Sequence, residues 1–229
     1  MKALEVFFDP FNLFGRLNAR PNWLIPFLIV AVTGVVSIFL MSPVLMHIVV
    51  RQIPEELSAE AQAQMISMIK VSRYYGILVS PLLVIVKWSI SAFLLFSISV
   101  LFGADITYRK VLSLLGHASI ITALDNLLSI VVVYMRGIDT IKSMEDIQST
   151  VLSLNHILGS SGHPVMRVFL ESVNVLTLWY MIVLVLGMAS MTQVSKKQSA
   201  VIVGLMWAMQ TMFVIGMAMI FSHVGSVAA

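Results

Sequence analysis

Five apolar stretches, at about residues 23–50, 74–102, 106–134, 165–191 and 199–222, fix what this chain can fold into. Each meets the roughly 20 residues that a helix needs to cross about 30 Å of hydrocarbon. In lipid, backbone N–H and C=O groups must be paired within their own segment, so apolar runs of this length become helices. Whole-chain composition agrees: 59% of residues are apolar, 11% are charged and the mean hydropathy is +0.97. A soluble domain averages about 45–50% apolar and about 25% charged. The expectation is an all-α integral membrane protein, with a five-span transmembrane helical bundle in residues 23–229. Trp23, Tyr74, Tyr75, Tyr108 and Tyr134 fall near the ends of the runs, where amphipathic rings favour headgroup depth.

Residues 1–22 hold no apolar core of a signal peptide, so no cleaved leader is expected. Asp9 followed by Pro10 marks a helix start, the carboxylate capping free N–H groups and the proline supplying a preset φ. Phe11, Phe14 and Leu17 then share one face. This pattern fits a short N-terminal interfacial helix and, equally, a segment packed under the bundle. Two long connections are expected to carry amphipathic loop helices. Residues 51–73 look helical after Pro54 and can run on into the second span. Residues 136–164 place Ser143 and Asp146 at capping-box spacing, then Ile147, Val151, Leu154 and Leu158 on one stripe. The short connections around Gly103 to Arg109 and Thr192 to Gln198 make spans two and three, and four and five, antiparallel neighbours.

The formal charge is +3 and the pI about 9.3, which in a chain this apolar points to basic loops beside lipid headgroups rather than to nucleic acid. Lys2, Arg16, Arg20, Arg109, Lys110, Lys196 and Lys197 fall on one side of the bundle. Arg51, Lys70, Arg73, Arg136, Lys142 and Arg167 fall on the other. The short, purely basic turns all belong to the first group, and short loops carry the orienting signal. A cytoplasmic N-terminus and an outside C-terminus are therefore expected. Expected partners are the lipid bilayer, other membrane proteins and further copies of the chain. There is no cysteine, so neither disulfides nor thiolate metal sites can form.

Three charges interrupt the apolar runs: Lys87, Asp125 and Glu171. Intramembrane charges are costly and are usually paired or functional. Counting about 1.5 Å per residue places all three at comparable depths in the outer half of the bilayer. Ser80, Lys87 and Ser91 share a helix face, as do Ser119, Thr122, Asn126 and Ser129 with Asp125 beside them, and as do Glu171 and Asn174. The expectation is an intramembrane polar cluster of Lys87, Asp125, Asn126, Glu171 and Asn174. Structural pairing is favoured, with a transport pathway as the alternative. His117 has the position of a hydrogen-bonded structural histidine. His47, His156 and His163 fall near Asp139, Glu145 and Asp146 but lack tight ligand spacing, so no metal and no cofactor is expected. Methionines are scattered round the helices, as adaptable packing requires. HExxH, GxSxG and glycine-rich phosphate motifs are absent, so no enzymatic activity is expected.

The opening FFDPFNLFGRLNARPNWLIPFLI resembles the aromatic and proline-rich entry of bacterial Yip-domain proteins, relatives of the Ypt/Rab-interacting Golgi membrane proteins. LFGADITYRKVLSLLGHASIITAL is similar to that family's glycine turn, basic pair and third span. LESVNVLTLWYMIVLVLGMASMTQVSKKQSAVIVGLMW is similar to its last two spans joined by a Ser-Lys-Lys turn. The resemblance implies five spans, a cytoplasmic N-terminus and a non-enzymatic scaffold or adaptor that binds membrane partners or lipid. The Asp-Leu-Tyr-Gly-Pro motif of eukaryotic members is missing, with only Ser80-Pro81 at the corresponding place. Rab binding therefore does not carry over, and the charged cluster rests on the residues alone.

Overall fold

The structure, a computed structural model, describes residues 2–54, 56–143, 146–147 and 164–227. It is a helical bundle. A 3-10 turn, Lys2–Phe7, leads into α1, Pro10–Ala19. Asp9 caps α1 as its sequence requires, its carboxylate accepting from Asn12 N at 3.5 Å and from the Asn12 side-chain amide at 2.9 and 3.1 Å, and an Arg16–Glu5 ion pair ties the turn to the helix. In α2, Leu24–Gln52, the cap comes from Asn22 Oδ1, which accepts from Leu24 N at 3.0 Å. Three further long helices are α3, Ala59–Leu101; α4, Tyr108–Arg136; and α7, Lys196–Val227. Between α4 and α7 lie α5, Pro164–Ser172, and α6, Val175–Met191.

Helices α2, α3, α4 and α7 are long and apolar enough to cross a membrane. The first, third and fifth apolar runs thus correspond to single helices within a few residues. The second is longer than its hydropathy suggests: α3 has 43 residues, about 65 Å, because the amphipathic stretch after Pro54 runs into the span without a break. It starts at Ala59, where Ser58 Oγ accepts from Ala61 N at 3.3 Å. The fourth run is divided at Val173–Asn174 into α5 and the 17-residue α6, the latter about 25 Å long. In the connection after α4, Asp146 accepts from the Ser143 backbone N–H at 3.0 Å and Ser143 Oγ caps Asp146 N in return. The reciprocal cap is therefore as the spacing implies, while Val151, Leu154 and Leu158 lie outside the described residues.

The core sits around α4. Helices α2, α3 and α6 pack on it, α7 covers α3 and α6, and α5 lies on α7. Val111, Leu114, Ala118 and Ile121 of α4 are completely buried. Glycines set the closest approaches, since small residues let membrane helices pack backbone to side chain. At Gly187 of α6 an added Cβ would lie 2.3 Å from Leu114 and 2.6 Å from Phe14. Phe14 and Leu13 of α1 are buried there, and Ser190 Oγ donates to the Phe11 carbonyl at 2.7 Å. Thus α1 is docked under the bundle, the second of the two placements that its pattern allows. Large side chains such as Leu78, Phe93, Leu101 and Phe213 stand exposed on the perimeter, as expected where acyl chains rather than water are the solvent.

Candidate functional site

Helix register decides which polar side chains meet. Trp88 of α3, a core residue, faces Gly116 of α4, where a Cβ would lie 2.9 Å from the indole. The two helices are antiparallel, so counting back from Trp88 to Ser80 is matched by counting forward from Gly116 to Leu124. Ser80 therefore arrives beside Asp125. Helix α2 enters from the other side, where Tyr134 donates to the Leu40 carbonyl at 2.5 Å. This brings Ser37 to the level of Ser129.

These residues border a cavity of about 470 Å³ between α2, α3 and α4, with Gly34, Ser37, Ser80, Asp125, Asn126 and Ser129 as its polar and small lining. Ile38, Met41, Ile130, Val133 and Ile147 complete the wall. A Cβ added at Gly34 would meet nothing within 4 Å, and Ser37 Oγ is buried without a partner among the described residues. Asp125 Oδ2 accepts from Asn174 Nδ2 at 3.4 Å, the long end of hydrogen-bond geometry. The same amide caps α6, its Oδ1 accepting from Thr177 N at 2.6 Å. Asn174 thus terminates the helical break and holds Asp125 from the α6 side. Such a site can exchange hydrogen bonds with water, a small polar solute or a cation. It offers no nucleophile paired with a base among the described residues.

Asp125 and Asn126 thus share the cavity with Ser80 and Ser129, and Asn174 reaches Asp125 from α6. Lys87 does not join them. It is exposed, lies outside the cavity lining and makes no ion pair with Asp125 or Glu171. The reason is twofold. Burial of Trp88 turns the neighbouring Lys87 about 100° from the core direction, and the register places Lys87 level with His117, about 12 Å along the axis from the level of Asp125. The expected pairing at one depth is therefore corrected. Ser91, one turn on, accepts from Gln210 Nε2 of α7 at 3.0 Å, so α3 meets α7 at that level while Lys87 stays exposed. Glu171 is partly buried at the end of α5 and does not line the cavity.

Of the histidines, His117 is buried with Nδ1 2.9 Å from the Ser113 carbonyl and its ring edge-on to Phe14, the structural role its position suggests. His47 lies 4.0 Å from Asp139, whereas His156 and His163 lie outside the described residues. No group of three metal-ligating side chains occurs among the described residues.

Residues 4–218 of the chain match the model of the Yip1 domain family. The chain belongs to the Yip1 domain family. No curated protein and no solved structure gives a significant match. In this Yip1-domain protein both the α1 dock and the Asp125 cavity fall inside the matched region.

Sequence reasoning missed the contribution of α2 to the cavity of the Yip1 domain. Gly34, Ser37 and Met41 recur at helical spacing, and that small-polar stripe is the signal that could have found it. Gln210 was also passed over, although an amide in an apolar run asks for a partner helix.

Proposed function

We propose that this Yip1-domain protein is a non-enzymatic membrane scaffold or adaptor, which binds other membrane proteins or lipid and has five spans. The observation that carries the reading is the family match over almost the whole described bundle. Counting α6 as a fifth, short crossing gives the N-terminus and C-terminus opposite sides. The basic ends at Arg16, Arg20, Arg109, Lys110, Lys196 and Lys197 support a cytoplasmic N-terminus, in a bacterial inner membrane. Partner contact is assigned to the exposed α3 flank around Lys87, whose ammonium, without an ion pair among the described residues, favours an acidic or carbonyl-rich neighbour in an apolar surface. A photo-crosslinker at Leu83, beside Lys87, should trap one or a few discrete proteins in native membranes. Labelling confined to lipid would count against a protein partner at this flank.

A second reading, a small transporter or channel, is favoured by one observation, the polar cavity at Asp125. Its pathway would run through Asp125, Asn126 and Asn174, with Lys87 and Glu171 outside it. On that reading Asp125→Asn removes flux and leaves folding intact.

A further inference from the structure

A second cavity, of about 660 Å³, lies where α1 ends, α2 begins and α4 makes its first turn, with Arg20, Asn22, Trp23 and Arg109 in its lining. The two guanidinium groups come from residues far apart in sequence, and both are exposed and without an ion pair among the described residues. The lining contains no carboxylate; the nearest acid along the chain, Asp105, makes no ion pair with Arg109. Ser113 Oγ donates to the Asn22 carbonyl at 3.0 Å and fixes the α1–α2 corner against α4. The basic mouth is therefore held by the fold rather than gathered by chance. Trp23 stands just before the first residue of a spanning helix, at the depth where indoles meet headgroups. Below it, Leu24 belongs to the cavity, and Leu28 and Val32 continue an exposed apolar stripe at intervals of four residues.

We propose that this cavity is a binding site for the headgroup of an anionic phospholipid. The phosphodiester sits between Arg20 and Arg109, each able to offer a two-pronged donor set to phosphate oxygens. Trp23 flanks the glycerol level, and one acyl chain follows Leu24, Leu28 and Val32. The apolar stripe beneath the cations selects a lipid over a free phosphate, because inorganic phosphate leaves that surface unused.

The test uses the full chain in detergent micelles, titrated with phosphatidylglycerol and with phosphatidylcholine, with bound lipid counted by native mass spectrometry. The wild type should retain one phosphatidylglycerol in preference to phosphatidylcholine. R20Q/R109Q should weaken that binding by about twenty-fivefold, about fivefold for each arginine. R20K/R109K keeps the charge but loses the planar fork, and should fall between the two. R109Q alone provides the readout if the double variant does not fold, as judged by circular dichroism. R136Q/K142Q, at the opposite end of the bundle, should leave binding unchanged, and excess inorganic phosphate should not displace the lipid. Unchanged affinity in the folded R109Q variant, equal loss in R136Q/K142Q, or displacement by inorganic phosphate would each overturn the proposal.

Discussion

Gly187→Ala puts the docking of α1 to a quantitative test. The new Cβ would lie 2.3 Å from Leu114 Cδ1, 2.6 Å from Phe14 Cδ2 and 2.9 Å from Phe14 Cε2. Carbon atoms in contact prefer about 3.5–4.0 Å, so the overlap is about 1.2–1.7 Å at Leu114 and about 0.9–1.4 Å at Phe14. Both neighbours are completely buried, and a close-packed interior gives them little room to turn away. Overpacking of this kind costs about 1–3 kcal/mol. As a short helix outside the spans, α1 can leave the bundle without unfolding a membrane crossing, so the cost should appear as undocking, an increase of about 5- to 150-fold in its open population. Tryptic cleavage after Arg16 reads that population when opening is fast relative to cleavage, whereas the Arg20–Pro21 bond resists trypsin in either state. The melting temperature in detergent should also fall, by about 2–12 °C. Phe14→Ala should cost about 3–5 kcal/mol alone, yet the double variant should cost less than the sum, because the alanine methyl partly fills the space that the ring leaves. An unchanged melting point and cleavage rate in Gly187→Ala would refute the packing of α1 against α4 and α6.

Asn174→Ala removes a helix cap, worth about 1 kcal/mol, together with the bond to Asp125. A double-mutant cycle with Asp125→Ala should therefore show a coupling of about 0.6–1.7 kcal/mol in thermal melts, whereas strict additivity would remove the link. Lys87→Met should leave stability unchanged or raise it, because no partner charge is stranded; a loss of about 3–5 kcal/mol, typical of a broken buried pair, would show that the lysine is paired after all. At the opposite end, hydrogen bonds from the Lys142 and Ser143 backbone hold the Asp146 carboxyl below its ordinary 3.8. A depressed folded value means that the turn gains stability above the unfolded value and loses it as pH falls through the folded one. Protection of the Lys142 and Ser143 amides, measured relative to their intrinsic exchange rates, should therefore be kept at neutral pH and lost only in acid below that range, and Asp146→Asn should abolish this dependence.

The spans were legible because hydropathy measures transfer free energy, which decides where α2, α4 and α7 lie. It carries no information on where one helix stops within a greasy run, so the break at Val173–Asn174 was not visible; it depends on Asn174 using its side chain as a cap. Nor could hydropathy show that α3 continues unbroken from Ala59, since both halves are helical for different reasons, amphipathic first and apolar later. The polar seam was half legible. Spacing put Ser80, Asp125, Asn126 and Ser129 on the right faces, but pairing across helices depends on register, and Trp88 on Gly116 sets it. Helical phase of the charge alone could not place Lys87, because its bulky neighbour Trp88 competes for the core and wins by buried area.

Solute and ion flux in proteoliposomes tests the central claim most directly, with the Asp125→Asn variant prepared alongside. As a scaffold, the protein should leave leakage of protons, sodium and small polar solutes at the rate of protein-free vesicles, and Asp125→Asn should change nothing. A stoichiometric flux that the wild type supports and Asp125→Asn abolishes would contradict the scaffold and make the cavity a pathway.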